Sequence, residues 1–219
     1  MAINLSKGQK IDLRKESGAT LTSFCVGVNW GAIETNGFLG LKTNKQSVDL
    51  DLSCILIDDN NNLCDHLYSP LYKIDFLQQF GLPKGKLLSM DGALRHTGDD
   101  LEGDAGGDDG LDNEIITVDL SKIDSKVAKI FFFLNNVGEE DFSQIPYSKI
   151  RMYEGTPTQV KEVFASYNVS SEPGYVGKKA LIMGKLYKRN NDWKFDAIGD
   201  PTSDTFMGQT INLILKSYL

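Results

Sequence analysis

The residues best equipped for chemistry in this sequence are carboxylates. Residues 98–114 read GDDLEGDAGGDDGLDNE, in which eight of seventeen residues are acidic, five are glycine and none is basic. Like charges at this density repel, and glycine raises the entropy cost of ordering the backbone. The stretch is therefore either a mobile acidic loop or a segment held together by something positive. A second acidic pair bears on the choice. In VDLDL, at 48–52, Asp49 and Asp51 stand two residues apart on a strand-like run, so both face one side. Aligned carboxylates cost a few tenths to about 1 kcal/mol unless a cation lies between them. Hard divalent cations, calcium above all, take six to eight oxygens from carboxylates, carbonyls and water. Glycine-spaced aspartates let such donors converge, but composition alone leaves both readings open.

Other chemistries find less support. There is no GxSxG elbow, no HExxH, no P-loop and no GxGxxG between a strand and a helix. The two histidines, His66 and His96, read as surface or strand-end residues rather than general bases. Cys25, Cys54 and Cys64 make an odd set without CxxC spacing and read as reduced thiols filling strand positions. Zinc lacks a Cys/His cluster. An EF-hand fails on register: counted from Asp99 the third position is Leu101, from Asp104 it is Gly106, and DDNNN at 58–62 runs into Leu63 where glycine is required. A glycosidase-like acid/base pair is chemically open, yet spacing singles out no two carboxylates. Acidic mimicry of nucleic acid needs a more extended charged face than one loop.

These side chains must be positioned by the rest of the chain. Its 219 residues are 41% hydrophobic, enough for a sizeable core, and read as a single domain over 1–219. The net charge of −7 argues against nucleic acid or anionic membranes as direct partners. The opening MAINLSKGQK has no apolar signal core and no run of 18 apolar residues exists, so a cytoplasmic chain without membrane insertion is expected. Short β-like runs dominate: 20–30, 47–57, 115–120, 127–135, 149–155, 178–189 and 192–199. DDNNN reads as a hairpin connection into LCDHLYS. Residues 69–95 break the rhythm as an inserted excursion. The final FMGQTINLILKSYL (206–219) places Met207, Ile211, Ile214 or Leu215 and Tyr218 near one face, a core-covering amphipathic helix. The fold class expected is all-β, an antiparallel β-sandwich with a long acidic metal-binding loop and a short C-terminal helix.

Several blocks of the sequence are familiar in this order. INLSKGQKIDL (3–13), VGVNW (26–30), VDLDLS (48–53), HTGDDLEGDAGGDD (96–109), NEIITVDLSKI (113–123), FSQIPYSKIRMYE (142–154) and GKLYKRNNDWKFDAIGD (184–200) are similar to successive segments of the TerD family of tellurite-resistance and stress-response proteins. The chain resembles that family over nearly its whole length. The resemblance implies a β-sandwich binding calcium, commonly two ions, through acidic loops. Carried over by position, it nominates Asp49 and Asp51 from the strand, and Asp99, Asp108, Asp109 and Glu114 from the loop. It also nominates Leu101 and Gly103 as carbonyl donors, with Asp100 and Asp104 as further ligands. The chain departs from the family at Gly31, where a carboxylate is usual after the tryptophan, and at GLDN (110–113), which separates Asp109 from Glu114 and offers Asp112 as a substitute ligand. The implied role is non-enzymatic: a calcium-dependent interaction module in resistance to tellurite or other stress, whose partners are other tellurite-resistance-type proteins in a complex near the membrane. Two alternatives stand beside it, a metal-dependent hydrolase using the acidic site and a metal-free small-ligand-binding module.

Overall fold

Among the described residues, short β-branched and aromatic runs separated by turn residues pair into two six-stranded sheets and one ribbon. The structure, a computed structural model, describes residues 3–4, 7–13, 18–36, 43–169, 173–190 and 192–219; Leu5 and Ser6 of the opening block lie outside them. In chain order the strands are β1 (Ile3–Asn4), β2 (Lys10–Asp12), β3 (Ser23–Trp30), β4 (Ile33–Asn36), β5 (Thr43–Gln46), β6 (Leu50–Asp58) and β7 (Leu63–Leu67). Then follow helix α1 (Ile74–Gln79), β8 (Leu94–His96), β9 (Glu114–Asp119), β10 (Val127–Asn136), β11 (Ser148–Thr156), β12 (Gln159–Asn168), β13 (Ala180–Arg189), β14 (Asp192–Thr202) and helix α2 (Met207–Ser217). One sheet runs β1-β12-β11-β3-β9-β8 and the other β2-β14-β13-β10-β6-β7. Pairing is antiparallel except for β1 on β12. The all-β sandwich expected from the sequence is the fold observed.

Alternation along the strands decides which face meets the core. Phe24, Val26 and Val28 of β3 pack against Leu52, Leu56, Phe132 and Leu134 of the opposite sheet. The fully apolar stretches of β6 and β10 have a second cause. Their other face, with Ile55, Ile57, Phe131 and Phe133, is covered by Leu77 of α1 and by Met207, Ile211 and Ile214 of α2. A strand buried on both faces has no solvent side to alternate with. The C-terminal helix thus covers a core as expected. The 69–95 excursion supplies α1 beside it, a helix too short to show periodicity in sequence. DDNNN closes the β6–β7 hairpin, with Asn61 in the left-handed region at φ 64°. Strand β12 escapes sequence reading because most of its residues are only half-buried.

Candidate metal centre

β6 and the loop after β8 bring together carboxylates separated by about fifty residues of chain. Asp51 lies in β6, Asp49 just before it and Asp99 in the loop, and one oxygen from each lies within 4.8 Å of the others. Asp51 is only 4% exposed, and Asp49 and Asp99 are half-buried. The Ser69 hydroxyl donates to Asp99 Oδ2 at 2.6 Å. Asp49 Oδ1, Asp99 Oδ1 and the nearby Tyr72 hydroxyl are buried with no hydrogen-bond partner among the described residues. Among those residues no lysine or arginine forms an ion pair with any of the three carboxylates.

Ionising this group is costly. Burial, then the charges of Asp99, Asp100 and Glu140, push Asp49 up to about 6. Burial and then Asp99 hold Asp51 well above the usual carboxylate range. Asp99 goes the other way: burial opposes ionisation there but is outweighed by hydrogen bonds involving Asp51 and Ser69. Buried acceptors without donors, beside carboxylates that resist charge, are the surroundings a cation relieves. The donor set, all hard oxygen, suits a hard divalent ion.

The frame of this cluster follows from a sheet edge. β7 ends where Leu67 pairs with Cys54, so toward Asp51 β6 keeps β10 on one side and has no strand partner on the other. Side chains take the place of the missing strand. The Leu52 amide donates to Glu114 Oε2 at 2.7 Å, and the Leu52 carbonyl accepts from His96 Nε2 at 2.9 Å. His96 Nδ1 accepts from the Gly98 amide at 3.0 Å, which fits a neutral ring protonated at Nε2. Burial lowers the His96 pKa accordingly. Glu114 Oε1 also accepts from the Asp100 amide at 3.1 Å, and Glu114 is fully buried; burial raises its carboxyl to about 9 against those two donors. Glu114 therefore braces the loop against β6, and neither acidic cluster contains it. His96 is a strand-end residue as expected, although buried; His66, also buried, lies inside β7.

A second group joins Asp104, Asp108 and Asp109, again within 4.8 Å and more exposed. It is already supplied with donors. Asp104 accepts from Asn113 Nδ2 at 3.0 Å and from the Tyr147 hydroxyl at 3.0 Å. Asn29 Nδ2 lies 3.3 Å from both Asp104 and Asp108, and Lys149 Nζ is 3.0 Å from Asp108. The Asp108 carboxyl is held below its usual range by the Gly110 amide first and Lys149 next. Gly31 explains part of this arrangement. A Cβ there would stand 2.6 Å from the Tyr147 ring, so the missing side chain is what lets the phenol reach Asp104.

The remaining nominees have other placements. Asp100 caps the turn by accepting from the Glu102 and Gly103 amides at 2.9 and 3.0 Å. Leu101 is half-exposed at a cavity mouth. Gly103 packs on Trp30, whose ring would meet a Cβ at 2.6 Å. Asp112 lies in neither cluster. It is buried against β3, where a Cβ on Gly27 would collide with its Oδ2, and its Oδ1 accepts from Arg151 Nε at 2.8 Å. Arg151 also donates to the Gly110 carbonyl at 2.7 Å and so ties the GLDN segment to β11. Sequence reasoning did not single out Ser69, Tyr72, Asn29, Tyr147 or Glu140. The acidic run GEED at 138–141 could have signalled Glu140, which is 4% exposed with an unpartnered Oε1.

Comparison with known proteins agrees with this architecture. The sequence model of the TerD domain matches residues 1–212. The chain is 31% identical over 219 residues to stress response protein SCP2 of Bacillus subtilis, covering 97% of this chain and 98% of that protein. It is 28% identical to tellurium resistance protein TerZ of Serratia marcescens, covering 90% and 89%. A solved structure of a homologue of telluride resistance protein (TerD) from Streptomyces coelicolor A3(2) superposes with TM-score 0.59 at 12% identity, covering 90% of this chain and 97% of that one; at that identity the likeness is one of fold.

Proposed function

The chain belongs to the TerD family, and from that premise we propose that it is a calcium-binding stress-response protein of the tellurite-resistance type, with two Ca2+ ions on its two acidic clusters. The observation that carries this reading is the convergence of Asp49, Asp51 and Asp99 with buried oxygens left unpartnered. Such an arrangement is unfavourable on its own and favourable around a cation. Asp49, Asp51 and Asp99 hold the first ion; Asp104, Asp108 and Asp109 hold the second, more exposed one. Bound calcium would supply positive charge and a centre for the oxygen donors to coordinate. The chain's own residues do the rest: Glu114 and His96 fix the loop on β6, Asp100 shapes its turn, and Arg151 pins its end.

The relatives' names, tellurium resistance and stress response, support the physiological setting. The proposed role is a calcium-dependent interaction module without catalysis of its own, acting in the cytoplasm with other tellurite-resistance-type proteins in a complex near the membrane. Among the described residues no helix is long and apolar enough to cross a membrane. Calorimetric titration of chelator-stripped protein with calcium tests the metal assignment. Asp51→Ala is expected to remove the tighter site and Asp109→Ala the weaker one. Wild-type-like calcium binding in both variants would contradict it.

A further inference from the structure

The first cluster opens into a cavity of about 350 Å3, within the ~300–1,000 Å3 range of small-molecule sites. Its floor is acidic, with Asp49, Asp51 and Asp99, and its walls are apolar, with Leu71, Tyr72, Phe76, Val137 and Phe206. Tyr72 meets Phe206 edge-on and Phe76 meets it at a tilt, at centroid distances of 5.8 and 6.0 Å. At the mouth, Leu71 is 65% exposed, Phe76 51%, and Val137 and Leu101 50% each. Single exposed apolar residues are ordinary, whereas these four gather around one opening.

We propose that this cavity binds a small amphiphile through the cation: an anionic oxygen head meets the calcium ion, and an apolar chain lies along the aromatic wall. The proposal rests on the calcium reading above. Three carboxylates supply three oxygens when monodentate and six only when all are bidentate, whereas calcium takes six to eight, so any arrangement short of full bidentate ligation leaves coordination positions open, and the cavity adjoins the carboxylates. Charge complementarity selects the head group. Against the bare carboxylates an anion is repelled; a divalent cation and Lys73 together offset the three carboxylate charges, and the ion's open positions draw an oxygen ligand. The Tyr72 hydroxyl lies beside Asp51 on the cavity lining, a donor next to where that head would sit, and Lys73 adds positive charge on the same lining. The apolar walls then favour a hydrocarbon body over a plain inorganic anion.

The test is calorimetric titration of the full chain with octanoate, in calcium and in chelator, with octyl phosphate and octylamine in parallel. A calcium titration without amphiphile comes first. The expected result is octanoate binding at least about tenfold tighter in calcium than in chelator, a difference of about 1.4 kcal/mol. Phe76→Ala, at an exposed position outside the carboxylate set, should weaken octanoate binding while leaving calcium affinity unchanged. Octyl phosphate binding more tightly than octanoate would identify a phosphate monoester as the head group and also supports the proposal. Calcium binding without calcium-dependent octanoate binding overturns this proposal alone. Octylamine binding in chelator and displaced by calcium overturns it in favour of an organic-cation seat. Absence of calcium binding ends this proposal together with the reading beneath it.

Discussion

Asp51 is buried among carboxyl groups, with one oxygen each of Asp49 and Asp99 within 4.8 Å. Its replacement should therefore act in opposite directions with and without metal. Asp51→Asn replaces a buried carboxyl that resists ionisation with a neutral amide of the same shape, so in chelator the melting temperature should hold or rise. In calcium the same variant should lose affinity by at least about tenfold, as expected for losing a ligand from a hard-cation site. A fall in stability under both conditions would show that Asp51 serves packing instead. His66 offers a second test, away from the acidic loop. Its ring stacks on Tyr68 and its Nε2 donates to the Lys84 carbonyl at 2.9 Å; burial, as the largest cause, lowers its pKa below the ordinary value of 6.5. The folded state thus prefers the neutral ring, and the unfolded chain takes up the proton first as pH falls below about 6.5. The associated stability is full above that pH and is lost on acidification. His66→Gln should lose less melting temperature than the parent between pH 7.5 and pH 5, both measured in chelator. Equal losses would remove His66 from the acid response.

At the level of elements, the unpartnered edge of β6 organises the site. Glu114 from β9 and His96 from β8 close that edge with side chains, which separates bracing from ligation experimentally. Glu114→Ala leaves the Leu52 and Asp100 amides without their acceptor, each costing about 1–3 kcal/mol. The loss should be similar in calcium and in chelator by urea denaturation; a loss confined to calcium would make Glu114 a ligand after all. Much of this frame was legible in the chain. Alternating Val48, Leu50 and Leu52 against Asp49 and Asp51 placed both carboxylates on one face, whereas the helical cover over the second side of the apolar run that follows is seen only in the fold. The role of Glu114 was not legible, because spacing shows an acid at a loop end but not which amides lack partners once β7 stops at Leu67. Asp112 was similarly hidden: its pairing with Arg151, 39 residues later, depends on Gly27 leaving room on the neighbouring strand β3, far from both in sequence. The helix α1 was missed because six residues cannot display a 3.6-residue period.

For the whole molecule, the two sheets and their helical cover form a scaffold whose chemistry is gathered at one edge. The acidic loop is not an appendage. The Ala32 amide donates to the Asp104 carbonyl and the Val48 amide to the Glu102 carbonyl, tying the loop to both sheets' neighbouring segments. Cation binding there is therefore coupled to global stability, since an ion that binds only the folded state stabilises it by RT ln(1 + [L]/Kd), roughly 2.7 kcal/mol at a hundredfold excess. For a chain of this size each kcal/mol shifts the midpoint by about 2–4 °C. The most direct measurement is the melting temperature of the full chain, stripped with chelator and then titrated with calcium. The expected result is a saturable rise of roughly 5–10 °C, reversed by chelator and largely absent in Asp51→Asn. A melting curve unmoved by calcium, in a protein that also gives no heat of calcium binding, would contradict the assignment of these carboxylates to a metal.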